Sequence, residues 1–346
     1  MKITNLNPDI PKHDIQPQLT TPDELALANS RFAKSDLPFY RKLGRTNLTV
    51  SSLGLGGGGQ ISSEDTLYAF DQGINYFFYS SDLHQYFYSS MRPALRQLCG
   101  RGSSMREKVV LATVSYMIRT PDTIYTYLYD QFIDLGIDYI DVFFWGWIDE
   151  YNHPAFEKCI SASDDIRGPN TVCQRQMERV FGVSEKLKKM GAVRYIGASF
   201  HDHDLAKQWL NSSLLDVVMV RHNVAHRTAQ RKVFPHLDVD DPHRPGIVTF
   251  KSSGMVNALW EPPAGLPSGC WQPSVPDLYR YSLSQNSVDV ALAGWQNREQ
   301  VDAAIQAVQK GKFTPEEIDY LNLYGDLHRN RIKPDEIPTE RLLISR

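Results

Sequence analysis

The stretch SSDLHQYFY, residues 80–88, places Asp82, His84 and Tyr86 in one short segment, with Tyr79 just ahead of it. An imidazole and a phenol beside a carboxylate can pass protons near neutral pH. His84 or Tyr79 is therefore a candidate proton donor, with Asp82 and Tyr86 completing the cluster; the same residues would also suit an ordinary polar surface loop. In SFHDHDLA, His201 and His203 follow Ser199, and Asp202 or Asp204 there reads equally well as a helix N-cap. VRHN brings Arg221 and His222 to the end of an apolar run. Arg221 would hold a fixed positive charge near a substrate, or form an ion pair with a neighbouring strand, for instance with Asp141. Lys251 ends a further run, VTFKS, a place where an amine can form a Schiff base. Trp145 and Trp147 in FFWGWID, with Trp260 and Trp271 in a later loop, can wall a pocket or simply pack. Asp149 and Glu150 follow as a possible base or as a solvated loop. The histidines, with His226 added, lack any fixed metal-binding spacing, and Cys99, Cys159, Cys173 and Cys270 form no CxxC pair. No metal is expected.

These residues sit at the ends of eight β-prone runs: 52–56, 75–79, 109–114, 139–145, 193–199, 216–223, 246–252 and 288–294. Amphipathic segments such as SEDTLYAFDQG, PDTIYTYLYDQFIDLG and CQRQMERVFGVSEKLKKMG lie between runs, each closing on a glycine suited to a helix C-cap. Eight strands alternating with helices predict a closed (β/α)8 barrel rather than an open doubly wound sheet. GLGGGG leads into a polar loop and not into a GxGxxG helix, which agrees with that choice. Ahead of the first run, YRKLGRTNLTVSS reads as a hairpin around GRTN. The expected organisation is an arm over residues 1–40, a barrel over 41–330 and a tail over 331–346. In a barrel the chemistry belongs at the carboxyl ends of the strands, which singles out segments such as Tyr79–Tyr86, Val114–Tyr116, Ser199–His203 and Lys251–Gly254. Long excursions at 146–172 and 253–287 have the size of lids or binding loops.

Of 346 residues, 42% are hydrophobic and 22% charged, enough for a sizeable core. A net charge of −3 gives no general attraction to nucleic acid or anionic membranes, and neither partner is expected. The polar amino-terminal segment MKITNLNPDIPKHDIQPQL has no signal-peptide core, so a cytoplasmic protein acting on a small molecule is the expectation. Nothing in the sequence sets an oligomeric state.

In order, RKLGRTNLTVSSLGLG, AFDQGINYF, KVVLATV, LGIDYIDVFF, KKMGAVRYIGAS and GWQNREQVDAAIQAVQKGKFTPEE resemble the successive landmarks of the aldo-keto reductases, from about residue 41 to about residue 325. The resemblance implies a TIM barrel with an amino-terminal hairpin across its bottom, NADP(H) over the top, and hydride transfer to a carbonyl. It also implies an Asp, Tyr, Lys and His acid relay, and here the sequence departs. Phe78 stands at the Asp position, Leu83 at that of Tyr, Val114 at that of Lys and Gly146 at that of His.

For the cofactor, the resemblance assigns Ser199 to the nicotinamide amide and Phe250 to stacking on the ring, while Phe200 and Met219 replace the usual Asn and Gln. Lys251 would meet a cofactor phosphate. Gly294, Asn297, Arg298 and Gln300 make a polar helix start suited to a 2′-phosphate, although the frequent Glu-Asn pair is Ala303-Ala304. The expectation is an atypical NADP(H)-dependent oxidoreductase acting on a small carbonyl, imine or activated alkene. A redox-free isomerase, dehydratase or cyclase, or a non-catalytic cofactor-sensing or partner-binding protein, remains open beside it.

Overall fold

The computed structural model describes residues 26, 29–30, 36–82, 84–116, 121–148, 182–254, 258–333 and 336–343. All eight runs form strands: β3 (Leu53–Leu55), β4 (Tyr76–Ser80), β5 (Val110–Ser115), β6 (Ile140–Ile148), β7 (Val193–Phe200), β8 (Val217–Arg221), β9 (Gly246–Phe250) and β10 (Val290–Ala293). They pair in parallel and close as β10-β3-β4-β5-β6-β7-β8-β9, the expected (β/α)8 barrel. Before it, β1 (Tyr40–Lys42) and β2 (Thr49–Ser51) form the antiparallel hairpin. Gly44 at the hairpin turn has φ +49, and a Cβ there would lie 2.1 Å from the Gly246 nitrogen. Only glycine lets the hairpin tip close against the start of β9, and so cover the bottom.

The interior follows the strand period of two. Tyr76 and Phe144 are fully buried inside, and two glycines make room for them: a Cβ on Gly54 would meet Tyr76 at 2.7 Å, and one on Gly197 would meet Phe144 at 2.5 Å. Phe78 continues this aromatic fill upward, its ring centroid 5.9 Å from that of Phe144.

The helices around the barrel include α1 (Ser63–Asp71), α2 (Gln85–Tyr88), α3 (Arg92–Cys99) and α4 (Pro121–Leu135). Past helical residues 182–189 come α5 (His203–Trp209), α6 (Thr228–Lys232), α7 (Val275–Leu283), α8 (Arg298–Gln309) and α9 (Pro315–His328). The expected stops hold: Gly73, Gly136 and Gly191 follow their helices with φ of +100, +66 and +72. The late excursion 253–287 contains α7 and is not loop alone. Residues beyond 331 also join a second core, where Ile337 and Leu342 are buried with Tyr320 and Tyr324. Most of the amino-terminal arm, the 149–181 segment, Cys159, Cys173, Asp149 and Glu150 lie outside the described residues. Among the described residues no helix is long and apolar enough to cross a membrane.

Candidate active site

At the carboxyl ends of the strands opens a cavity of about 810 Å³. The glycine run Gly56–Gly59 and the loop Gly294–Asn297 form one side; a Cβ on Gly59 would sit 2.1 Å from the Trp295 carbonyl oxygen, so the two loops touch backbone to backbone. The start of α8 continues that side. Asn297 caps the helix by accepting from the Gln300 N–H at 3.1 Å, and the Gln300 side chain accepts from the Gln296 N–H at 3.0 Å. Both residues line the cavity, as do Gly294, Glu299 and Ala303.

A second wall is aromatic. Trp147 lies with its ring 5.9 Å from that of His201, and His201 meets Phe250 edge-on at 5.1 Å. Trp147 has φ +56, in the left-handed region, and its N–H donates to Ser199 Oγ at 2.8 Å. Ser199 is thus bound into the wall, with its own proton left to give. Lys251 also has a positive φ, +57; it lines the cavity with Nζ 5.8 Å from the Phe250 ring centroid. Burial, and then the charge of Arg221, pulls its pKa down.

The third wall carries hydroxyls. Tyr88, at the end of α2, and Tyr116, just past β5, both line the cavity and share a side-chain hydrogen bond. Burial pushes the Tyr88 phenol up to about 12, opposed by its hydrogen bonds to Tyr116 and to the Gly57 backbone. Tyr116 is raised further, by burial and by Tyr88. His84 joins them with its ring 5.1 Å from that of Tyr116.

Several residues singled out from sequence fall outside the cavity, mostly for one reason: neighbours on a strand face opposite sides. Phe78 points inward, so Tyr79 points outward and its hydroxyl donates to Asp134 of α4 at 3.0 Å. Trp145 faces the helices as well, its indole N–H 3.0 Å from Ser184 Oγ. His222 is fully buried, 5.5 Å from and nearly parallel to Tyr281, with Nδ1 3.0 Å from Ser282 Oγ; burial drives its pKa down to about 3. It is a neutral core imidazole. Asp82 ties the loop down, accepting from the Tyr116 N–H at 2.9 Å and the Ser80 hydroxyl at 3.1 Å. Tyr86 is 59% exposed. Arg298 is held by Glu64 and Asp65 at 2.8 and 2.9 Å and does not line the cavity. Arg221 lies at the rim, outside the lining, and Asp141 pairs instead with Arg106 and Arg194, each at 2.8 Å. Asp202 caps α5, as the alternative reading of SFHDHDLA had it. Of the other tryptophans, Trp260 lines the cavity, whereas Trp271 stacks on Tyr320 in the second core. Among the described residues no group of three His, Cys, Asp or Glu side chains could hold a metal ion.

The sequence profile of the aldo/keto reductase family matches residues 59–241, more than half of the chain. This chain belongs to the aldo-keto reductase family. The holo form of the aldo-keto reductase AKR11C1 from Bacillus halodurans superimposes with a TM-score of 0.60 at 20% identity, over 85% of this chain and 96% of that one. PA4992 from Pseudomonas aeruginosa, provisionally named an aldo-keto reductase, gives 0.56 at 20% identity, over 81% and 98%. At that identity the likeness speaks for the fold. No curated protein sequence matches the chain.

Two of the positions to which the resemblance assigns the relay adjoin one another in this barrel, Gly146 and Val114. A Cβ added at Gly146 would meet Val114 Cγ2 at 2.5 Å and the Tyr116 ring at 2.9 Å, so a side chain fits there only if these neighbours shift. Phe78 packs 6.1 Å from the Tyr88 ring. Leu83 lies outside the described residues. The space is filled by Val114, Tyr116, Phe78 and Tyr88 together, and two of these bring hydroxyls that reading by family position overlooks. Both were visible: Tyr88 ends SSDLHQYFY, and Tyr116 stands in a strand-end segment already singled out.

Proposed function

We propose that this aldo-keto reductase is an oxidoreductase that binds a nicotinamide dinucleotide, NADP(H) or its unphosphorylated counterpart, and reduces a small carbonyl, imine or activated alkene with altered acid chemistry. The observation that carries the reading is the cavity itself, which joins the aromatic face of Phe250, the start of α8 and the hydroxyl pair in one space. The residues present fit a dinucleotide. Phe250 offers a stacking face, Ser199 a hydroxyl on the same wall, and the α8 start a favourable end of a helix dipole. A reduced nicotinamide, when bound, supplies hydride.

The chain's own share is orientation and proton control. Tyr88 and Tyr116 stay protonated at neutral pH, because burial raises both. They suit hydrogen bonding to a developing negative oxygen or nitrogen, and among the described residues no cation contributes to either shift. That is weaker acid help than a lysine-activated phenol gives, which favours substrates that need less of it. His84, beside Tyr116, can replace the proton from solvent. At the α8 start Arg298 is already neutralised and Glu299 is acidic, so among the described residues the phosphate that distinguishes NADPH finds no free cation there. NADH is expected to bind at least as well.

The test is a substrate panel of aldehydes, ketones, imines and activated alkenes, following oxidation of NADH and NADPH by the wild type and by Tyr116→Phe. Turnover that falls by about a hundredfold in the variant, with nucleotide affinity kept, is expected. Tight nucleotide binding without turnover of any panel member would instead favour the cofactor-sensing alternative.

A further inference from the structure

Arginines that are at least half-buried are usually partnered, and in this chain they almost all are. Among the described residues Arg106 and Arg194 hold Asp141, Arg227 holds Asp326, Arg244 holds Asp289, and Arg298 holds Glu64 and Asp65. Arg41, Arg45 and Arg280 donate to backbone carbonyls. Arg221 is the exception: it is half-buried, it has no carboxylate or carbonyl partner, and its Nε is buried without an acceptor.

Its surroundings deepen the anomaly. Arg221 ends β8 on the strand face of Met219, which lines the cavity, and is paired in register with Phe250, which also lines it. The next residue after Phe250 is Lys251, half-buried, in a left-handed backbone conformation, and likewise without a carboxylate. The two strand ends are tied together by Asn223, whose amide donates to the Lys251 carbonyl at 2.7 Å. Arg329, exposed just past α9, adds a further positive charge to the surroundings of Arg221 and His226. Burial, and after it the repulsion of these cations, pulls down the pKa values of Arg221, Lys251 and His226, the last to about 4. Like charges gathered in partial burial oppose folding unless something negative compensates them, and no described carboxylate does.

We propose that Arg221 and Lys251 form a binding site for an oxyanion, a phosphate or carboxylate group, at the rim of the cavity. A planar guanidinium fork and an ammonium point charge on adjacent strand ends are the donor set that such a group takes. The anion belongs to the substrate, which then joins the class of phosphorylated or carboxylated compounds, because the pair stands at Phe250 on the aromatic wall of the cavity. The site itself does not rest on the redox reading above, because it is tested without nucleotide.

The experiment is calorimetric titration of the full chain with inorganic phosphate at low ionic strength, for the wild type, Arg221→Gln, Lys251→Gln and, as a control, Arg101→Gln. Arg101 is exposed and paired with Asp138. Each of the first two variants is expected to weaken phosphate binding by about tenfold or more, and the control to leave it unchanged. In phosphate-free buffer Arg221→Gln should melt no lower than the wild type, since it relieves an unpaired charge. Absent phosphate binding, equal binding in all four proteins, or a lower melting temperature for Arg221→Gln would overturn the proposal. With binding in hand, NADH and NADPH are added to phosphate-saturated protein: simultaneous binding is expected for a substrate anion, and displacement by nucleotide would overturn that assignment.

Discussion

The two ends of this barrel treat charge and strain in opposite ways. At the bottom, where strands begin, the buried carboxylates Asp141, Asp216 and Asp289 each have a cation and a backbone donor. Asp141 takes Arg106, Arg194 and the Leu111 N–H; Asp216 takes Lys188 and the Ile196 N–H; Asp289 takes Arg244 through both oxygens and the Ile247 N–H. At the top, Arg221 and Lys251 have no carboxylate partner among the described residues, the Arg221 Nε is buried without an acceptor, and Trp147 and Lys251 hold backbone conformations that non-glycine residues avoid. The same scaffold that ties each strand start to its neighbour leaves its other end with unspent interactions, which is where binding and chemistry draw theirs.

That contrast is open to attack by substitution. The largest effect is expected at the bottom: Asp141→Ala strands two buried guanidinium groups and should cost about 3–5 kcal/mol in denaturant unfolding. Nucleotide affinity of the remaining folded protein should not change. In the core between β8 and α7, His222 gives a pH signature. Its folded pKa of about 3 lies below the ordinary 6.5, so the unfolded chain binds the proton more tightly. Stability is complete above pH 6.5 and falls toward pH 3, by about 1.4 kcal/mol per pH unit from this group. His222→Gln should flatten that limb. At the top, stability should barely respond and binding should: Phe250→Ala is expected to weaken nucleotide binding by about 1 kcal/mol through loss of the stacking face. Smallest of all, Arg298→Ala should change the ratio of NADPH to NADH affinity by less than about twofold, because its charge is already spent on Glu64 and Asp65.

Architecture was legible because it is written in periodicity. Unbroken apolar runs bounded by turns gave all eight barrel strands, and the glycines after the helices marked their ends. The cavity was legible in part. His84, Trp147, Ser199, His201, Phe250, Lys251, Gly294, Asn297 and Gln300 all line it. Tyr79, Trp145 and His222 do not, although matching Phe78, Gly146 and Met219 to relay and cofactor positions, which must face the cavity, turns these strand neighbours outward by alternation. Arg298 was hidden by a different cause: its partners, Glu64 and Asp65, lie more than two hundred positions away in the chain. Tyr88 and Tyr116 stand in segments that the sequence singled out, but their pairing was hidden, because it depends on how the short helix α2 brings Tyr88 against the residue just past β5, and spacing does not encode that.

The most direct test of the central claim is titration of the purified protein with NADH and with NADPH, following quenching of tryptophan fluorescence, in the wild type and in Phe250→Ala. Trp147, Trp260 and Trp295 all line the cavity and report occupancy. Binding of both nucleotides at micromolar concentrations, with NADH no weaker and Phe250→Ala loosened, is the predicted result. No quenching by either nucleotide at millimolar concentration would contradict the assignment of this cavity to a nicotinamide dinucleotide.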